Sequence, residues 1–254
     1  MSAAPAVTAD VAGPAGSEPA VALRDVRFAY RPGADVLRVE RLDVRRGERI
    51  FVFGPSGSGK TTLLGLLAGV LRASSGSVQV LGRDLARLGG AERDAFRAEH
   101  VGYVFQMFNL IPYLSVRENV TLPARLSAGR RARLGGRSPD AAAEHLAVEL
   151  EIAELLDERV TSLSVGQQQR VAAARALLGA PELVIADEPT SALDADRRER
   201  FLELLFQVCA EAGSTLIFVS HDRGLEPMFD RAVSLPELNR MDGGRRTEDV
   251  GGRT

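Results

Sequence analysis

The 254-residue chain has one cysteine, Cys209, no tryptophan, and one lysine, Lys60, among its 32 basic residues. A single cysteine excludes an intramolecular disulfide framework. For want of such a framework the cytosol is the default compartment, and the cysteine, set in an apolar helical run (RFLELLFQVCA), reads as a small buried hydrophobe. No apolar run nears the ~18 residues that a membrane helix needs, and the opening MSAAPAVTADVAGPAGSEPA lacks the basic start and apolar stretch of a signal peptide. Neither a membrane span nor secretion by that route is expected. Charge of one sign is lacking too. The 32 basic residues face 34 acidic ones for a net of -2, so no bulk basic field draws nucleic acid, and none is expected as a partner.

What is present is 45% apolar and 26% charged residues, ordinary for a chain that buries a sizeable core. Residues 1–20 are rich in Ala, Pro and Gly without periodicity and read as a disordered leader; residues 240–254 read as a tail of the same kind. The domain is expected over 21–239. There, short apolar runs alternate with longer helical patterns, which predicts an α/β fold with a mainly parallel sheet. VALRDVRFAY and VLRVERLDV, joined by RPGAD, predict an antiparallel β layer leading into a buried strand. Residues from about 107 to 165 hold few strand signals and read as an inserted α-helical subdomain. Within it, Ser138 before Pro139 is a helix start. PELVIADE and STLIFVSHD suit strands covered on both faces.

Three segments carry chemistry. GPSGSGKTT comprises Gly54, Pro55, Ser56, Gly57, Ser58, Gly59, Lys60, Thr61 and Thr62, and lies between the apolar run RIFVFG and the helical pattern TLLGLLAGVL. Small residues let the backbone turn its N–H groups toward a phosphate, the helix start adds a positive dipole end, Lys60 supplies a full charge and Thr61 is placed to hold Mg²⁺. LVIADE ends an apolar strand in two carboxylates. Alone, that pair also reads as a solvated turn; downstream of a phosphate loop, Asp187 suits the Mg²⁺ shell and Glu188 suits orienting and deprotonating an attacking water. In LSVGQQQRVAAARALLGAP, Ser164 and Gln167 form a capping box, and Gly166 leaves the helix start open to an anion.

Together these residues resemble the nucleotide-binding subunit of ATP-binding cassette (ABC) transporters over about 21–239. The fold implied is a P-loop NTPase core of the RecA-like kind with the antiparallel and helical additions already read. GPSGSGKT looks like the Walker A loop, LVIADE the Walker B strand and LSVGQ the signature motif. By the same resemblance Gln106 in VGYVFQ is the Q-loop glutamine that reaches the metal and attacking water, SALD with Asp194 is the D-loop, and His221 in VSHD is the switch histidine on the γ-phosphate. Tyr30 falls where the family stacks adenine.

The resemblance implies two Mg·ATP held between head-to-tail cassettes, most simply a homodimer. Ser164, Gly166 and Gln167 then serve the partner's nucleotide. It further implies a separate membrane permease, with the cassette on the cytoplasmic face of the membrane and residues 108–114 docking a permease helix. The wording of FNLIPYLSVRENV is similar to cassettes of the lipoprotein-releasing and macrolide-export type. Val165 departs from the family's usual glycine, and as the first helical residue it can point away from the ligand, so activity is expected to survive. Two other classes compete. A soluble cassette acting on DNA or ribosomes is the first: DNA versions need long coiled-coil inserts, and residues 64–163 carry no sustained heptads, while ribosomal versions usually carry two cassettes in one chain and one is read here. A low-turnover regulatory cassette is opposed by the full set of Glu188, Gln106 and His221.

Overall fold

The structure is a computed structural model that describes residues 18–240. The rest of the predicted leader and tail lies outside the described residues. Ala20, the last residue assigned to that leader, is buried, and its carbonyl accepts the Leu81 N–H at 2.7 Å.

The predicted β layer forms as β1 (Val21–Arg31) and β2 (Ala34–Val44), antiparallel about a turn at Pro32 and Gly33, where Gly33 takes a left-handed φ of 82°. The buried strand is β3 (Arg49–Phe53), and the glycine-rich loop runs from it into α1 (Lys60–Leu67). β4 (Ser75–Val80) and β5 (Arg83–Asp84) complete a four-stranded sheet in the order β2-β1-β4-β5. These last two strands are short and polar (SGSVQV, RD), and their alternation is too brief to stand out in the sequence.

Next come α2 (Gly90–His100), β6 (Val101–Val104), α3 (Val116–Leu126), α4 (Ala128–Ala132), α5 (Pro139–Glu149) and α6 (Val165–Leu177). Among the described residues no strand lies between β6 and β7 (Leu183–Asp187). The chain closes with α7 (Ala195–Glu211), β8 (Thr215–Val219), β9 (Arg231–Ser234) and α8 (Leu235–Leu238). The second sheet has the order β6-β7-β8-β3-β9 with every pairing parallel.

Strand periodicity divides the core across this sheet. Phe51, Val184, Ala186, Leu216 and Phe218 face α3, α5, α6 and α7. Their neighbours Ile50, Val52, Ile185, Ile217 and Val219 face the antiparallel sheet and α1. Both faces are covered, which explains why LVIAD and TLIFV are continuously apolar. The helix starts follow local chemistry. The Ser138 hydroxyl accepts the Ala141 N–H with Pro139 in the first turn, and Ser115 and Glu118 form a capping box on α3.

Arg130, 2% exposed, is the largest fully buried side chain. Its guanidinium donates to the carbonyls of Ala98, Val101, Ala176 and Leu178. It thereby ties α4 to the ends of α2 and α6 and to β6. Burial pulls its pKa down to about 10, so the cation persists at neutral pH on backbone dipoles.

Candidate functional site

The loop after β3 holds the geometry that its sequence calls for. Gly57 and Gly59 take left-handed φ of 77° and 100°, which a side chain would resist. A Cβ on Gly54 would sit 2.7 Å from Ser58 Oγ and 3.1 Å from Pro236 Cδ. Ser58 Oγ itself is buried without a hydrogen-bond partner, an acceptor or donor awaiting a polar ligand. Lys60 Nζ donates to the carbonyls of Gly54 (2.9 Å) and Pro55 (3.1 Å) and lies 3.5 Å from Glu188 Oε1. Lys60 and Glu188 are separated in sequence by the strands β4 to β7 and the helices α2 to α6; the adjacency of β3, β8 and β7 in the sheet brings them together.

Glu188 follows β7 with a left-handed φ of 45°, an uncommon conformation for a non-glycine residue. Its N–H donates to the Val219 carbonyl, tying it to the end of β8, and its Oε2 lies 3.2 Å from His221 Nδ1. Lys60, Glu188 and His221 therefore converge at the carboxyl ends of three parallel strands, where open α/β sheets bind ligands. A cleft of about 350 Å³ beside them is lined by Thr190, Ser191, Ser220 and His221.

Asp187 is held in a partly desolvated position. Burial and the neighbouring Glu188 raise its pKa, against Lys60 and a hydrogen bond with Tyr103, which lower it. Tyr103 is correspondingly raised, by its own burial and by the Asp187 carboxylate. Sequence reasoning missed Tyr103. Its signal is the parallel pairing of β6 with β7, Tyr103 against Ile185, which no local pattern reveals. Among the described residues no cluster of three His, Cys, Asp or Glu side chains encloses a metal. Thr61 at the start of α1, Asp187 at the end of β7 and Gln106 after β6 offer oxygen donors of the kind that suit Mg²⁺, which keeps most of its coordination for water and phosphate oxygens.

Other assigned residues fall at different places. Tyr30 is 62% exposed at the end of β1, contacts Phe28 edge-on, and its hydroxyl lies 3.2 Å from Thr62 Oγ1. Pro55, Ser56 and Thr61 are exposed, as is Gln106 in the loop after β6. Ser164 caps α6, its Oγ accepting the Gln167 N–H while Gln167 Oε1 accepts the Ser164 N–H at 2.9 Å. A Cβ on Gly166 would meet Leu193 at 3.7 Å, an ordinary contact, and Val165 is 46% exposed. Asp194 caps α7 by accepting the Arg197 N–H. No hydrogen bond or ion pair among the described residues joins Ser164, Gly166 or Gln167 to the phosphate loop.

The expected docking stretch needs a correction at its start. Phe108 is buried in the core, Leu110 packs against it, and the carbonyls of Phe108 and Asn109 accept hydrogen bonds from the Arg175 guanidinium. The apolar side chains offered outward are Met107 (81% exposed) and Tyr113 (79%). Phe108 and Asn109 both adopt positive φ, and that local reversal turns Phe108 inward.

A glycine-rich loop entering a helix beside a strand-end acidic pair defines a P-loop nucleotide hydrolase. The family model for ABC transporters matches residues 37–191. The chain is 41% identical over 227 residues to the "Lipoprotein-releasing system ATP-binding protein LolD" of Novosphingobium aromaticivorans, covering 87% of this chain and 98% of that one. It is 44% identical over 202 residues to the uncharacterized ABC transporter ATP-binding protein YbbA of Escherichia coli, covering 79% and 86%. Among solved structures, a dimeric post-hydrolysis state of the ATP-binding cassette MJ0796 bound to ADP and Pi superposes with a TM-score of 0.75 at 33% identity, covering 86% of this chain and 94% of that one. The chain belongs to the ABC transporter family, as its ATP-binding and ATP-hydrolysing subunit.

Proposed function

We propose that two copies of this chain close head to tail on two Mg·ATP and drive a membrane permease in export or mechanical work of the lipoprotein-releasing kind. The observation that carries the head-to-tail arrangement is the capped, outward-facing start of α6, with no bond to the chain's own phosphate loop. A helix start with free N–H groups beside Gly166 is an anion site. In the partner it would meet the γ-phosphate that Lys60 holds from the other side. The dimeric MJ0796 cassette and the LolD relative support the same reading.

In this reading the phosphate-loop N–H groups and Lys60 bind the β- and γ-phosphates, and Tyr30 stacks the base. Glu188 accepts a proton from water while His221 steadies Glu188 and the γ-phosphate, and Gln106 joins the site to the permease side. Thr61, Asp187 and Gln106 would hold Mg²⁺, which supplies charge neutralisation on the phosphates. Closure adds contacts that exist only with ATP between the two copies, and loss of the γ-phosphate removes them. No helix among the described residues is long and apolar enough to cross a membrane. By its likeness to the LolD relative, the cassette would sit on the inner face of the cell membrane through its permease.

The test is affinity purification of the Glu188→Gln form from native membranes with Mg·ATP, with mass spectrometry of the chains recovered. A multi-helix permease with a large extracytoplasmic domain is the expected companion. Recovery of ribosomes, DNA or soluble proteins alone would overturn the permease reading while leaving the ATPase site intact.

A further inference from the structure

Asn239 spends every polar atom of its side chain on one joint. Nδ2 donates to the carbonyls of Val36 (3.1 Å) and Ser58 (3.3 Å), and Oδ1 accepts the Arg38 N–H at 2.7 Å. The main chain around it is fixed too. Asn239 N–H donates to the Leu235 carbonyl at 2.7 Å, Val39 and Asn239 form an antiparallel bridge, and Arg240 N–H donates to the Arg38 carbonyl at 2.9 Å.

The same segment touches the phosphate loop at its other end. Ser234 pairs with Phe53, Leu235 is fully buried, and Pro236 Cδ lies 3.1 Å from where a Cβ on Gly54 would stand. Residues 234–239 thus brace the loop both where it leaves β3 and where it enters α1.

The Ser58 contact has a directional consequence. In a trans peptide the C=O and the following N–H point to opposite sides. Asn239 grips the Ser58 carbonyl, so the Gly59 N–H of that peptide is turned to the side away from Asn239. The Val36 and Arg38 contacts meanwhile anchor β2, whose hairpin partner β1 carries Tyr30 one residue before its end. A single amide therefore links the base side of the nucleotide site to its phosphate side, from a position well outside the matched residues 37–191.

We propose that Asn239 is a positioning residue for ATP: it fixes the Ser58–Gly59 peptide and the spacing between the Tyr30 and Lys60 subsites, so that the loop is organised before nucleotide arrives. This rests on the phosphate-loop reading of residues 54–62. Asn239→Asp keeps the acceptor for Arg38 but turns an oxygen on two carbonyls; Asn239→Ala removes all three bonds without adding charge.

The experiment measures steady-state ATPase kinetics and equilibrium ATP binding of the full-length wild type, Asn239→Ala, Asn239→Asp and Lys60→Ala forms. The expected result is a KM and Kd for ATP raised about tenfold in Asn239→Ala and further in Asn239→Asp, with kcat at saturation within about twofold, because Glu188 and His221 stand on other strand ends. Unchanged KM in a folded variant, or a fall in kcat alone, overturns the proposal. Lys60→Ala binding ATP as wild type does would instead sink the phosphate-loop reading.

A second measurement needs no variant. Coupling between the brace and the nucleotide is reciprocal, so hydrogen–deuterium exchange of residues 234–240 in the wild type should slow at least several-fold on adding ATP. Unaltered exchange there would overturn the role of Asn239 whether or not the variants fold.

Discussion

His221 Nδ1 lies 3.2 Å from Glu188 Oε2, and the other oxygen of that carboxylate lies 3.5 Å from Lys60 Nζ. One acid thus stands between an imidazole and an ammonium, held there by a backbone conformation that non-glycine residues rarely adopt. Glu188→Gln preserves the shape and removes the basic oxygen. It is expected to bind ATP normally, to lose turnover by about 10²- to 10⁴-fold, and to accumulate as a dimer in size-exclusion chromatography with ATP. Unchanged turnover would remove Glu188 as the base.

Much of this site is legible in the sequence, because the loop, the capping box and the acidic pair are each local patterns of a few residues. So are the apolar strands, since a parallel sheet covered on both faces makes them continuous. What the sequence hides is what neighbouring strands bring together. The Tyr103–Asp187 bond depends on the β6–β7 pairing, and the Asn239 joint depends on a contact between residues about 180 positions apart in sequence. Arg130 reads as one more arginine in an Arg/Gly stretch until the carbonyls of three other elements surround it. Phe108 looked like a docking residue because its exposure depends on two positive-φ residues that composition does not announce.

The outward pair Met107 and Tyr113 and the inward Phe108 make opposite predictions. Changing Met107 and Tyr113 to Asp should leave the melting temperature and the ATPase of the isolated cassette within error, while weakening recovery of the permease. Phe108→Asp should lower stability by about 3 kcal/mol or more through burial of a charge in the core. Thermal melts beside the pull-down separate the two cases, and a Phe108→Asp form as stable as wild type would contradict the packing described.

Arg130→Met should cost about 3 kcal/mol, because four buried carbonyls lose their donor at once. For a domain of this size that is a fall of roughly 6–12 °C in melting temperature. Lysine is expected to rescue little, since its ammonium has three donors and no planar fork. Equal stability of the methionine form in a thermal melt would mean that those carbonyls find other partners.

Cys209 is buried on α7 and its thiol is pushed up to about 12 by desolvation, with Arg49 acting weakly in the other direction. A group whose pKa is higher in the folded state contributes stability that is complete below the unfolded value, near 9.0, and is lost as pH rises toward the folded one. Within that window the loss is about 1.4 kcal/mol per pH unit. Denaturant melts between pH 8 and 11 should therefore fall more steeply for wild type than for Cys209→Ala. Identical slopes would contradict the buried thiol. At neutral pH the native protein should react with thiol reagents only as fast as it opens.

Lys60, the chain's sole side-chain amine, sits at the mouth of the phosphate loop with 11% of its side chain exposed. An amine-acylating reagent therefore has one side-chain address in this protein, and in the proposed function that address is the nucleotide's own. The mass shift of a single peptide becomes an occupancy gauge, readable inside an intact membrane complex without any engineered label.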